Sequence, residues 1–436
     1  MRIENLRKEN HGDRTRVVAT VIWENRVRLV QEVFFETTSD YAADLTCNPN
    51  AFLAACGIPA MRFGERRVMI DAPICPVFKE GLENVMDTLS YWYGGDRRVI
   101  PIEAPVQTEV SKTARPSRAG CFFSGGIDAL CMLRKNHLSY PSDHPRYVRD
   151  GILVYGILKG EDAKDPAFHH VLDAISALAL DAGINLIPIY TNAHAFIRDL
   201  DPRYKFWKYE FHGAFLAAVS HVLSGRLSTV SIASSSDLTD LNPWGTYPLI
   251  DPQLSSGEVD IHHEDITLSR FEKTKIVGEW ATALQHLRVC NHKTSYQSGN
   301  HNCGRCDKCI NTMTALLSLG LLEQTQTFAE KNVSAKQLFQ AARIPDADVY
   351  DEACYRDLIV PLKQMGRLDL VLSIQGAILY GRLKYGLKQW DRVLFRGALF
   401  KLIHWLQGGT AGQDWREEVT SGYSLNPALR HRPIMP

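Results

Sequence analysis

The sequence predicts an α/β protein built on a five-stranded parallel sheet with helices on both faces. Three observations lead there. From residue 120 onward, short apolar β-branched runs alternate with longer runs of helical period, the pattern of parallel strands joined by crossover helices. The first of these strands runs into a glycine turn, Ser124-Gly125-Gly126, which opens directly onto a helical pattern. At 436 residues and 45% hydrophobic composition, the chain is too long for one ordinary core and apolar enough to build two or three. We therefore expect an N-terminal α+β domain (1–112), an α/β domain (118–325) and a helical C-terminal domain (330–436).

In the first unit, residues 15–23 and 26–35 alternate as two strands around Glu24-Asn25, a hairpin. A short helical piece at 52–56 and a strand at 66–71 follow. Residues 76–93 carry apolar side chains at 78, 82, 85, 86, 89 and 92 behind a proline, the signature of a helix. A strand at 97–102 closes the unit, which shows no catalytic constellation and reads as a packing or docking domain. Residues 108–118 read as a linker.

In the second unit the strands are 121–124, 151–157, 184–190, 228–233 and a short one near 286–289. The helices are 128–137, 166–182, 208–223 and 271–284. Between 234 and 264 lies a long irregular segment containing Trp244 and Tyr247. We expect it to fold over the strand ends, where open α/β sheets bind ligands. Beyond it, 309–322 and most of 335–407 are helical in pattern, the last helix (390–406) carrying Arg392, Arg396 and Lys401 among apolar residues. Such a helix packs on its own domain or presents a basic face to a partner or membrane surface. The polar tail from Gly408 is expected to be loosely held.

Lys plus Arg (49) equals Asp plus Glu (49), so no net charge draws the chain to nucleic acid or lipid. No apolar run of about 18 residues suggests a membrane span. The charged start lacks the apolar segment of a secretory signal, so a cytoplasmic location is expected. Six of the ten cysteines are scattered, but Cys290, Cys303, Cys306 and Cys309 cluster. Four thiolates, three of them in two C-x2-C steps, suit a structural tetrahedral Zn²⁺, with an iron–sulfur cluster as the other option. His292 and His301 lie within the loop as competing ligands.

The glycine turn has its own chemistry. Backbone N–H groups of Gly125, Gly126 and Ile127, with the Ser124 hydroxyl, could cup the pyrophosphate end of ATP. Asp128 at the helix start could hold Mg²⁺. That grip presents the α-phosphorus to a nucleophile. There is no lysine in the turn, which separates it from a Walker A loop. The bland alternative is a packing turn with Asp128 as a cap.

The run Phe122-Phe123-Ser124-Gly125-Gly126-Ile127-Asp128 resembles the PP-loop of the N-type ATP pyrophosphatases, whose pattern is Ser-Gly-Gly-x-Asp-Ser; Ala129 stands where the final serine is expected. Together with the cysteine set it resembles the 7-cyano-7-deazaguanine synthase family over about residues 120–320. The resemblance implies the adenine nucleotide alpha hydrolase-like fold, ATP and Mg²⁺ as cofactors beside Zn²⁺, and a phosphate-binding lysine at the start of a helix, matched by Lys273. Asp128 and Lys273 are then the candidate catalytic residues. Ser235, Asp237, Trp244, Tyr247 and Asp251 are the candidate substrate contacts. Two departures stand out: Phe211-His212 replaces an Arg-Asn pair, and the segment from Trp244 to Asp251 replaces a shorter Tyr-Pro-Asp element.

Long forms with extra terminal domains occur in bacterial anti-phage systems such as CBASS and Qat. That likeness implies adenylation of a 7-deazaguanine-type carboxylate and its transfer to ammonia or a protein amine, with partner proteins and a homodimer among the expectations. The rival readings are a degenerate nucleotide-binding partner module, favoured by Ala129, and a PP-loop tRNA-modifying enzyme. The second lacks the dense basic patch that tRNA demands.

Overall fold

A computed structural model describes residues 1–395 except 96, 109–116, 156–165, 203, 240, 291–300 and 343–348, together with residue 398. Ten strands form one sheet: β1 (Arg2–His11), β2 (Arg14–Ile22), β3 (Gln31–Thr38), β4 (Val68–Ile70), β5 (Ile102–Glu103), β6 (Ala119–Phe122), β7 (Val148–Tyr155), β8 (Asn185–Thr191), β9 (Thr229–Ala233) and β10 (Asp260–Glu264). Twelve α-helices are described. They are α1 (Pro49–Arg62), α2 (Pro76–Tyr93), α3 (Ile127–Ser139), α4 (Pro166–Ala182), α5 (His212–Val222), α6 (Arg270–Gly278), α7 (Ala281–His286), α8 (Asp307–Ser318), α9 (Ala335–Ala341), α10 (Val349–Arg356), α11 (Ile359–Gln364) and α12 (Leu368–Phe395).

The strand order is β10-β9-β6-β7-β8-β3-β2-β1-β4-β5. The first five of these pair parallel throughout. From β6 the chain steps outward through β7 to β8, then returns to the other side of β6 as β9 and β10. Strand order therefore reverses between β6 and β9, the kind of switch point at whose carboxyl ends open α/β sheets bind ligands.

The ten-stranded sheet corrects the expected five. β3 pairs antiparallel with β8 through Phe35↔Thr191 and Glu36↔Tyr190, which carries the N-terminal strands onto the parallel set. Side chains reinforce the seam: the Thr37 hydroxyl donates to the Pro188 carbonyl (2.8 Å), and the Thr191 hydroxyl to that of Phe34 (2.6 Å). One apolar core holds α1, α2 and α5 on one face; a second holds α3, α4 and the helices from α6 onward on the other.

Several element expectations need correction. The fifth parallel strand is β10, inside the segment read as irregular, and not 286–289. Its sequence, Asp-Ile-His-His-Glu, shows one buried apolar residue because it is a sheet edge, where polar side chains are tolerated. β1 was missed because a bulge between Glu4 and Arg7, with Asn5 at φ 54°, breaks its alternation. The helix expected over 208–223 begins with a π turn at Trp207–Phe211. The helix expected over 271–284 is two, α6 and α7. Of the strand expected at 97–102, only Ile102 lies in a strand, β5. Of the basic C-terminal helix, Arg396 and Lys401 lie outside the described residues, as does the tail from Gly408.

Candidate functional site

The glycine turn follows β6 at the carboxyl end of the strand where the order reverses. β6 ends at Phe122, and the Phe123 N–H still reaches the Ile152 carbonyl (2.9 Å). Ser124 is exposed. Gly125 takes a left-handed φ of 73°, and a Cβ there would stand 3.3 Å from Ile175. Both facts favour glycine. The Gly126 N–H faces the Ser124 hydroxyl oxygen at 3.4 Å, and α3 starts at the next residue. The first N–H groups of α3 have no helical acceptor, so the turn offers converging donors at the positive end of a 13-residue helix. Ala129 lies 6% exposed within the core beneath the turn.

Asp128 and Lys273 are brought together between α3 and α6. Lys273 is fully buried, and its ammonium donates to the Ser234 carbonyl (2.7 Å) at the end of β9. Burial pushes its pKa down, while the Asp128 and Asp265 carboxylates oppose that shift. Arg270, the first residue of α6, sets its guanidinium 2.7 Å from Asp128 Oδ1. Its helix is started by a capping box between Ser269 and Glu272, which fixes the direction of that first turn. The Ser-Arg-Phe-Glu box that places Arg270 is readable in the sequence, whereas its pairing with Asp128 is not. Asp265, in the left-handed region at φ 63°, closes the group with an ion pair to Lys135.

The candidate substrate residues separate. Ser235 is exposed beside Ser234, and Asp237 accepts from the N–H (2.7 Å) and hydroxyl (2.6 Å) of Thr239. The other three are taken up by packing. Trp244 meets the Tyr209 ring edge-on at 5.4 Å with the Lys208 ammonium 4.4 Å over it, and Tyr247 packs edge-on against Trp92 of α2 at 4.9 Å. Asp251 is fully buried, 2.7 Å from His263 Nδ1, with burial raising its pKa. This loop docks on the start of α5: Gly245 donates to the Lys208 carbonyl (2.9 Å), and Gly213 donates to the Gly245 carbonyl (2.6 Å). A Cβ on Gly213 would lie 2.4 Å from Asp251 Oδ1, so glycine permits that approach.

The four cysteines gather into a metal-sized cluster. Their Sγ atoms all lie within 4.8 Å of one another, with Cys303 to Cys309 at 3.8 Å and Cys306 to Cys290 at 3.9 Å. A tetrahedron with Zn–S bonds of about 2.3 Å has edges of about 3.8 Å. The donor set therefore fits zinc. With the thiols alone, the neighbouring Cys290 thiol pushes Cys306 up to about 12, and Cys309 is raised as well. A divalent cation reverses that balance by favouring thiolates.

Asn302, missed in the sequence, frames the cluster. Its Oδ1 accepts from the Val289 (2.8 Å) and Cys290 (3.2 Å) N–H groups, and its amide donates to the Leu287 carbonyl (3.0 Å). The cluster also adjoins the glycine turn, since Arg288, two residues before Cys290, donates its N–H to the Gly125 carbonyl (2.9 Å). His292 lies outside the described residues.

No family model, curated protein or solved structure matches this chain.

Proposed function

We propose that this protein is an ATP-dependent, AMP-forming carbon–nitrogen ligase of the PP-loop type. It would adenylate a 7-deazaguanine-type carboxylate and join it to an amine, either ammonia or a protein amine. The observation that carries the reading is the place of the Ser124–Asp128 turn. It lies where strand order reverses beside β6, with Asp128, Arg270 and Lys273 gathered behind it and the thiol cluster alongside.

In this reading the N–H groups of the turn and the Ser124 hydroxyl bind the β- and γ-phosphates of ATP. Arg270 engages one oxygen of Asp128 and no hydrogen bond of the described residues uses the other, so the carboxylate retains a face for Mg²⁺. Mg²⁺ bound there would neutralise charge on the departing pyrophosphate. Arg270 and Lys273 add positive potential at the same point, where charge develops as the α-phosphorus is attacked. The carboxylate oxygen bonds to that phosphorus as the bond to pyrophosphate breaks; the amine then displaces AMP from the acyl carbon and loses a proton. Zn²⁺ on the four cysteines has a structural part, since four protein ligands leave no open position. A cytoplasmic role in anti-phage defence, with a protein acceptor, fits the added N- and C-terminal elements.

A second reading, a nucleotide-binding module without turnover, is favoured by the buried Ala129 and by the Arg270 contact on Asp128. One assay separates the two. Pyrophosphate release is followed with ATP, Mg²⁺ and a panel of 7-deazapurine carboxylates. The ligase reading predicts acid-dependent release that Asp128→Ala abolishes while zinc content and fold persist. ATP binding without release for every acid would leave only the module.

A further inference from the structure

The long helix α12 has two apolar faces and uses one of them inside its own chain. Leu370, Val371, Ile374 and Ala377 are buried in the core that also holds α3 and α8. At 3.6 residues per turn, the opposite side of the helix presents Leu372, Leu379, Leu383, Leu387, Trp390 and Leu394, each 58–69% exposed. With Val393 these side chains expose on the order of 900 Å², more than the largest apolar patch of about 300–600 Å² on an ordinary monomer. Arg382, at the border of the stripe, is held by Glu352 of α10 (2.5 Å).

The spacing of the stripe is that of a helix made to meet another helix. Leu372, Gly376, Leu379, Leu383, Gly386, Trp390 and Val393 follow in alternating steps of four and three, an unbroken heptad seam over three repeats. Its two glycines are the informative members, since glycine weakens a helix interior relative to alanine. A Cβ on Gly386 would meet nothing within 4 Å, so the fold of the chain itself does not call for glycine there. An antiparallel copy with a two-fold axis at Leu383 does. In that register Leu379 of one helix falls on Gly386 of the other and Trp390 falls on Gly376. Val393 lies beside Leu372, and Leu383 meets itself.

We infer that α12 is a dimerisation helix, its exposed stripe docking antiparallel on the same stripe of a second copy of this chain. Such an interface is isologous, so each match occurs twice and the assembly closes at two chains. The area agrees, because a stable interface takes about 800 Å² from each partner and the stripe alone offers that much. A lipid surface fits less well. Residues 368–395 hold four basic and two acidic side chains, a weak draw to anionic lipid, and lipid gives no reason for glycine at two seam positions. The inference does not depend on the ligase reading.

Sedimentation equilibrium of the full chain at micromolar concentration provides the test, with the expected mass twice the 49.1 kDa of one chain. Leu383→Glu sets two like charges against each other on the axis and should raise the dimer dissociation constant by roughly a hundredfold or more. Helix content should not change, because Leu383 is exposed in the single chain. Leu383→Met should remain a dimer. The register is read by disulfide formation under mild oxidation, with wild type as the background. Leu383→Cys should cross-link to itself, whereas Leu372→Cys, whose copies stand about 33 Å apart, should not. Leu372→Cys mixed with Val393→Cys should cross-link. A monomeric wild type would overturn the inference, and its flotation with phosphatidylserine vesicles would assign the stripe to a membrane instead. A dimer that withstands Leu383→Glu, or one that cross-links through Leu372→Cys alone, would overturn it as well.

Discussion

Asp128, Arg270 and Lys273 differ in their surroundings, and under the proposed ligase reading they would differ in their tasks. Lys273 has no exposed surface and is anchored to the Ser234 carbonyl, so in the proposed ligase it would supply a positionally fixed charge. Arg270 lies at the start of its helix and reaches Asp128 directly. Arg270→Ala should therefore lower the rate of pyrophosphate release by roughly a hundredfold, the cost of deleting a donor aimed at developing charge. Steady-state kinetics should show the loss mainly in kcat, and a change confined to KM for ATP would count against this role. At this scale the sequence was most legible where function is local. A glycine turn and paired C-x2-C steps announce themselves within a few residues. Arg270 and Asn302 did not, because each matters through partners far along the chain: Asp128 for one, the backbone around Cys290 and Leu287 for the other.

Among the elements, α5 packs the N-terminal helices against the parallel strands. Its N-terminal turn carries His212 and the docked 242–251 segment. Its last turn carries His221, fully buried, which donates from Nε2 to the Leu254 carbonyl (2.9 Å) and meets Phe78 of α2 at 5.0 Å. Burial lowers the His221 pKa from 6.5 to about 4. The folded state thus refuses a proton that the unfolded state accepts below pH 6.5. Stability is complete above that value and falls as the pH drops toward 4, by on the order of 3 kcal/mol for a group this buried. Urea unfolding between pH 7 and 4.5 should show a shallower acid limb in His221→Gln than in wild type; parallel limbs would refute the assignment. The elements that escaped sequence reading share one physical cause. β1 and β10 carry few buried apolar residues, one because of a bulge and the other because it is an edge. Periodicity reports burial, and these strands are held chiefly by backbone pairing.

Across the whole molecule, the N-terminal strands continue the sheet that bears the glycine turn. β3 completes the far side of β8, and α1 and α2 share a core with α5. The α/β class and the alternation of the central strands were readable because each parallel strand is apolar and short. The joining of the two strand sets was not, since it depends on two residue pairs between β3 and β8 and on side-chain bonds such as that from Thr37 to the Pro188 carbonyl. The N-terminal helices α1 and α2 thus share the core on the α5 face, while the helices beyond α8 join the core on the face that carries α3 and α6.

The central claim, that a carboxylate attacks the α-phosphorus of ATP gripped by the Ser124–Asp128 turn, leaves an isotopic record. The full chain is incubated with ATP, Mg²⁺, an amine and a 7-deazapurine carboxylate labelled with oxygen-18 in its carboxyl group, and the nucleotide product is weighed by mass spectrometry. The account predicts AMP carrying one oxygen-18 atom, formed together with the amide. Unlabelled AMP, or ADP in its place, would contradict it.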